Sequence, residues 1–181
     1  METNKEILRP PQGKMKHYKK GEIIQSRGES SPKIFYVQKG LIRSFLNDEK
    51  GKEHIFTFAC EGWMIADLES LEFHHPTLLT IDCLEDCEVI IMDREAQIKN
   101  LNNEEAVKDK LKHLYRRIGV LQRRIIMQMS SPAGERYQYF LETYPDLPNR
   151  IPQYMIASYL GITPQALSTI RKEIGSFKEI N

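Results

Sequence analysis

The sequence predicts a mixed α+β protein: an N-terminal β-barrel or jelly roll, a long dimerisation helix, and a C-terminal helix-turn-helix domain with little or no wing. Three observations carry that prediction. Residues 14–95 hold short runs of β-forming side chains separated by turn residues. Residues 107–125 repeat apolar side chains with a heptad period. Residues 153–172 place Ala, Gly and apolar residues at the offsets of two helices joined by a tight turn.

The β-rich part is read in chain order. KIFYVQ at 33–38 is rich in β-formers and is followed by Gly40. LIRSFL at 41–46 leads into a turn of Asn47, Asp48, Glu49, Lys50 and Gly51. HIFTF at 54–58 alternates and is broken by Glu61 and Gly62. LTIDCL at 79–84 and EVIIM at 88–92 flank the acidic turn Glu85-Asp86. Short strands at this spacing suggest an antiparallel barrel or jelly roll.

The pattern changes near residue 100. Val107, Leu111, Leu114, Ile118, Leu121 and Ile125 follow one another at alternating intervals of 4 and 3. That is an a/d seam, and it predicts a parallel homodimer along a helix from about Asn103 to Met129, roughly 40 Å long. Ile126 and Met129 widen the stripe. A break at Met129, Ser130, Ser131 and Pro132 predicts a hinge, with Ser131 as a cap and Pro132 at the first helical position. Arg136 to Tyr144 continues as helix and Pro145 stops it.

Residues 153–172 carry the strongest signal. Ala157 is small enough for a second helix to cross close by. Gly161 tolerates the positive φ that turns the chain. Thr163 can cap the second helix, and Pro164 suits its first turn. Ile156, Leu160, Leu167 and Ile170 would lock the pair. Gln165, Ala166, Ser168, Thr169, Arg171 and Lys172 stay off that core face. Gln can bond adenine bidentately, and Ala or a Thr methyl can meet a thymine methyl. Thr163, Ser168, Arg171 and Lys172 suit phosphates. The expected partner is double-stranded DNA.

Composition agrees with this division. The chain has 181 residues, enough for one domain or two small ones at ~150 residues each. Apolar residues make up 40% and charged residues 28%, so a packed core is expected. The net charge of +1 hides an asymmetry. Residues 61–95 hold ten acids and one base, whereas residues 106–172 hold eleven bases and four acids. The C-terminal part is therefore the one suited to a polyanion. No apolar run approaches the ~18 residues of a membrane span, and the charged N-terminus has no signal-peptide core. A cytoplasmic protein without a membrane partner is expected.

No catalytic residues are expected, because no Ser/His/Asp order, phosphate loop or zincin motif is present. No metal or cofactor is expected either. His54, His74 and His75 tempt a metal reading, but neighbouring histidines on a strand point to opposite faces, and Pro76 suggests a loop. Cys83 and Cys87 are expected to pack in the core rather than to form a redox pair. Glu69 and Glu72 read as a solvated face.

The chain resembles the Crp/Fnr transcription regulators. IFYVQKGLIR at 34–43 resembles the family's barrel strand ending in Gly-x-x-Arg, and FACEGWMIAD at 58–67 resembles the approach to its phosphate-binding cassette. Glu135-Arg136-Tyr137, with IASYLGITP at 156–164, resembles a branch common in Bacteroidetes-type bacteria. The resemblance implies a cyclic-nucleotide-binding-like sensory barrel over residues 1–102, a dimerisation helix over 103–130 and a DNA-binding domain over 131–181. It also implies an effector pocket around Ala66, Asp67, Pro76 and Thr77, with Asp67 able to bond a ribose hydroxyl. RNA polymerase and an unidentified small-molecule effector are further candidate partners.

The chain departs from that family at three places. Pro76 stands where the cyclic-AMP-binding members place a phosphate-clamping Arg, so a buried phosphate would lack its bidentate partner. Cyclic AMP is therefore not the expected effector. The oxygen-sensing members' N-terminal cysteine cluster has no counterpart before Cys60. Thr169 stands where a base-reading Arg is common, and the nine residues after Lys172 leave little room for a hairpin wing. The expected function is a dimeric, sequence-specific transcription regulator acting on a roughly palindromic site. The alternative is a small-molecule-binding barrel with a vestigial DNA-binding domain.

Overall fold

Two antiparallel sheets enclosing a shared apolar core build a β-sandwich. The computed structural model of the protein describes residues 11–92 and 104–178. These fall into two compact units, one holding residues 11–92 and the other residues 104–178. The expected domain boundary at 102/103 and the expected helix start at Asn103 lie outside the described residues.

The first unit runs β1 (Lys14–Tyr18), β2 (Ile23–Gln25), β3 (Ile34–Lys39), β4 (Ile42–Asn47), β5 (Glu53–Ala59), β6 (Met64–Ile65), α1 (Leu68–Phe73), β7 (Thr80–Cys83) and β8 (Cys87–Met92). Two four-stranded sheets result, ordered β1-β8-β3-β6 and β2-β7-β4-β5, with antiparallel pairing. Side chains alternate across each strand. Phe35 and Val37 of β3 and Cys87 and Val89 of β8 therefore face Ile42, Ala59, Ile81 and Cys83 in one core. Tyr36, Ile90 and Met92, from the intervening positions, cluster on the other face of their sheet. Full burial of each large apolar side chain contributes about 1.5–3 kcal/mol. The five strands expected from sequence are present, and β1, β2, β6 and α1 are additional.

The second unit is helical: α2 (Glu104–Ser130), α3 (Ala133–Thr143), a 3-10 turn (Leu147–Asn149), α4 (Gln153–Leu160) and α5 (Pro164–Lys178). Its core joins Tyr137, Phe140, Tyr144 and Leu147 to Ile156, Ala157, Tyr159, Leu160 and Leu167, all buried. The rings of Phe140 and Tyr159 lie 5.4 Å apart, and Tyr144 meets Tyr159 edge-on at 5.8 Å. Such pairs add stabilisation beyond the area they bury.

One expected boundary shifts by a residue. Pro132 is the N-cap of α3, not its first helical residue, and no side chain caps it. The reason is that the Ser131 N–H still donates to Met127 O, so Ser131 closes the previous helix. Pro132 is then extended (ψ 153°), and its carbonyl accepts the first bond of α3 from Arg136 N. Among the described residues, no helix is long and apolar enough to cross a membrane.

Candidate nucleic-acid interface

Three residues set the angle between α4 and α5. Gly161 follows the last residue of α4 at φ 68° and ψ 34°, a left-handed conformation that glycine adopts without a Cβ penalty. Ile162 N donates to Ala157 O at 3.0 Å and Gly161 N to Ser158 O at 3.1 Å, the paired bonds that close a helix C-terminus. Thr163 then caps α5, its hydroxyl accepting from Ala166 N at 3.2 Å. Ile156, Ala157, Leu160 and Leu167 are buried, and Ile170 is half-buried.

This turn leaves one face of α5 open. Thr163, Gln165, Ser168, Thr169 and Lys172 are exposed, and Ala166 and Arg171 are half-buried. The face thus combines an amide, hydroxyls, a methyl and two cations. The Thr169 hydroxyl is turned back on its own helix, donating to Gln165 O at 3.3 Å.

The long helix α2 carries the expected seam. Leu111, Leu114, Ile118 and Ile125 are 44–60% exposed, and Val107 and Leu121 are half-buried. Ile126 and Met129 extend the apolar face and are exposed as well.

Two residues at the C-terminal end of α2 were not foreseen. Arg124 Nη2 and Gln128 Nε2 donate to the same acceptor, Tyr159 O, at 3.2 and 3.3 Å. Arg124 also lies over the Tyr159 ring, 3.9 Å from its centroid. A helix leaves its last carbonyls without internal partners and carries partial negative charge there, so a guanidinium is well placed at the end of α4. The i, i+4 spacing of Arg124 and Gln128 puts both on one face, and that was the available signal. It could not show which carbonyl they would reach.

In the first unit, the four residues expected around an effector are divided. Asp67 is 3% exposed and both of its oxygens are engaged: it caps α1 through Ser70 N and accepts from Leu78 N and Leu79 N at 2.8 and 3.2 Å. Thr77 is also buried, its hydroxyl donating to Ser26 O at 2.8 Å. Ala66 is half-buried and Pro76 exposed. Asp67 and Thr77 therefore brace the segment around α1. His75 pairs with Glu69 at 3.1 Å, and the Pro76 carbonyl, with Glu69, raises its pKa above the ordinary histidine value. His54 pairs with Asp48 instead. No three His, Cys, Asp or Glu side chains among the described residues converge as a metal site requires.

Residues 15–103 match the family model of the cyclic nucleotide-binding domain. Over that stretch the chain is similar to the cyclic nucleotide-binding domain family. The fold of the chain is similar to that of several solved proteins, a CRP/FNR-family regulator among them. FixK2 from Bradyrhizobium japonicum superposes with a TM-score of 0.76 at 18% identity, over 93% of this chain and 87% of that one. A CRP/FNR-family transcriptional regulator from Thermus thermophilus gives 0.69 at 17% identity, over 90% and 86%. A CooA mutant from Carboxydothermus hydrogenoformans gives 0.71 at 19%, over 91% and 77%. No curated protein matches the sequence. Within the cyclic nucleotide-binding domain, the family likeness thus coexists with an α1 segment whose buried acid is tied to its own backbone.

Proposed function

We propose that the protein is a sequence-specific, DNA-binding transcription regulator of the Crp/Fnr type, not an enzyme, working in the cytoplasm as a homodimer. The observation that carries this reading is the open polar face of α5, held at a fixed angle to α4 by the turn from Gly161 to Thr163. A helix held in this way can enter a major groove with its first turns against base edges. Gln165 is assigned to base reading, Ala166 and the Thr169 methyl to apolar base contact, and Thr163, Ser168, Arg171 and Lys172 to phosphates. The exposed seam on α2 supports dimerisation, because an apolar stripe of that regularity is normally covered. Two-fold pairing would set the two recognition helices about 34 Å apart on a roughly palindromic site.

Regulation would act at the junction of residues 129–132. An effector can work only by binding one spacing of the recognition helices better than another. Cyclic AMP is not assigned that role. No Arg stands at position 76, and Asp67 is already bonded to three backbone N–H groups. Calorimetry with cyclic AMP should therefore give no heat of binding at micromolar concentrations, and micromolar affinity would overturn this part of the reading.

The assignment of α5 is tested on a preferred duplex and a scrambled one. Gln165→Ala should cost about 1–3 kcal/mol on the preferred duplex and relax preference at one base pair. Lys172→Ala should weaken both duplexes alike and reduce the salt slope by about one. Equal losses on both duplexes for both variants would refute the assignment and favour a barrel protein with a vestigial DNA-binding domain.

A further inference from the structure

Long side chains in the last two turns of α2 hold the end of α4. The bonds that close α4 take up the carbonyls of Ala157 and Ser158. The next carbonyl, Tyr159 O, instead takes two donors from α2: Arg124 Nη2 at 3.2 Å and Gln128 Nε2 at 3.3 Å. A carbonyl oxygen has two lone pairs, so these two donors fill it. Arg124 also sits on a fixed platform. The Tyr159 ring is buried, with Phe140 and Tyr144 packed beside it at 5.4 and 5.8 Å, and the guanidinium lies 3.9 Å from its centroid. Gln128 reaches the turn itself: a Cβ on Gly161 would stand 3.2 Å from Gln128 Oε1. One residue earlier on α2, Arg123 lies 4.9 Å from the centre of the Tyr139 ring on α3. α2 thus contacts both α3 and α4 across the junction at residues 129–132. Any rotation of α4 against α2 about that junction must break the bonds to Tyr159 O.

We propose that Arg124 and Gln128 are positioning residues for DNA recognition: their clamp on Tyr159 fixes the angle between α2 and the α4–α5 pair, and so the half-site spacing that a dimer accepts. The inference rests on the reading of α5 as the DNA-reading helix and of α2 as the dimer seam. α5 follows α4 because Gly161 and Thr163 shape the turn between them and Leu167 is buried with Ile156 and Leu160. In a two-fold dimer, play between α2 and α4 enters twice, once in each protomer. A rigid link keeps the second recognition helix at high effective concentration over its half-site, and a loose link dilutes it. A guanidinium suits this place because it can lie on a ring face while its N–H groups donate, a combination that a lysine ammonium lacks. The clamp acts on the DNA site through α4, and not by touching DNA.

The test compares the full chain with Arg124→Ala, using spin labels at Tyr115 on α2 and Glu173 on α5, both exposed. Non-natural residues carry the labels, so the native cysteines stay untouched. Labelled chain is diluted into unlabelled chain, so distances within one protomer are read. The unsubstituted protein should give one narrow distance distribution and Arg124→Ala a broad one. Affinity is then measured for the inverted repeat obtained by selection, for one half-site alone, and for the repeat with its half-sites moved apart by about two base pairs. The unsubstituted protein should lose about tenfold or more on the moved repeat, and Arg124→Ala less than about threefold, because loosely held helices reach both spacings. Both proteins should bind the single half-site equally. Gln128 is exposed, so Gln128→Ala should fold normally and shift the spacing preference the same way, which keeps the test open where Arg124→Ala fails to fold. A narrow, unchanged distribution in both variants overturns the inference. So does a loss on the half-site as large as the loss on the repeat, which would make Arg124 a DNA contact or a residue needed only for folding. If the unsubstituted protein prefers no duplex, the DNA-binding reading fails, and the distances alone decide whether the clamp holds α4 against α2.

Discussion

Arg43 shows how one side chain can hold two strands in place. It is 5% exposed, yet its guanidinium bonds Asp82 through Nε at 2.8 Å and Nη2 at 3.0 Å. It also bonds Glu53 through Nη1 at 2.7 Å and lies 4.3 Å from the centre of the Phe45 ring. Burial alone would lower its pKa, but the two carboxylates hold it above the ordinary arginine value. Arg43→Ala should therefore cost about 3–5 kcal/mol, because Asp82 is left charged in a largely buried place. Arg43→Met should cost less when combined with Asp82→Asn. Chemical denaturation measures both, and a loss below about 1 kcal/mol for Arg43→Ala would contradict the account.

Residue roles were legible where the partner lies close in sequence. Gly161 and Thr163 act within a few positions of themselves, so their spacing announces them. Asp67 was read as available to a ligand, whereas its partners at Leu78 and Leu79 return across a loop whose course the sequence does not display. The same holds for Arg124 and Gln128, whose acceptor lies more than 30 residues away. Cys83 and Cys87 are expected in the core and lie there, but the bonds from Cys87 Sγ to Leu41 O and Glu85 O depend on how the turn folds.

At the scale of elements, strong periodicity was legible and short segments were not. The seam of α2 follows a heptad over nearly three repeats, and the helix spans Glu104–Ser130. β1 is almost wholly exposed, β2 has three residues and β6 has two, so none presents enough alternation to stand out. α1 has six residues and is set by the Asp67 cap rather than by an apolar stripe. The seam also makes the oligomer testable. Leu114 lies mid-seam and is 47% exposed in the single chain, so Leu114→Asp should leave the helix intact while placing like charges face to face in a dimer. Light scattering should then report the mass of one chain in place of two. A variant that remains dimeric would show that α2 is not the interface.

At the scale of the whole molecule, the first unit matches the cyclic nucleotide-binding domain model, and the helical unit exposes two surfaces of different chemistry. One is the apolar stripe of α2, and the other the polar face of α5. Charge supports the same division, with the acids gathered in residues 61–95 and the bases in residues 106–172. Arg124 and Gln128 tie the end of α4 to the C-terminal end of α2, so α2 and α4 are joined directly. The measurement that tests this account most directly is selection of bound duplexes from a random pool at near-physiological salt, followed by sequencing. The account predicts an enriched inverted repeat whose half-sites lie about one helical turn apart. Binding without enrichment of any sequence, by a protein shown to be folded and dimeric, would contradict it.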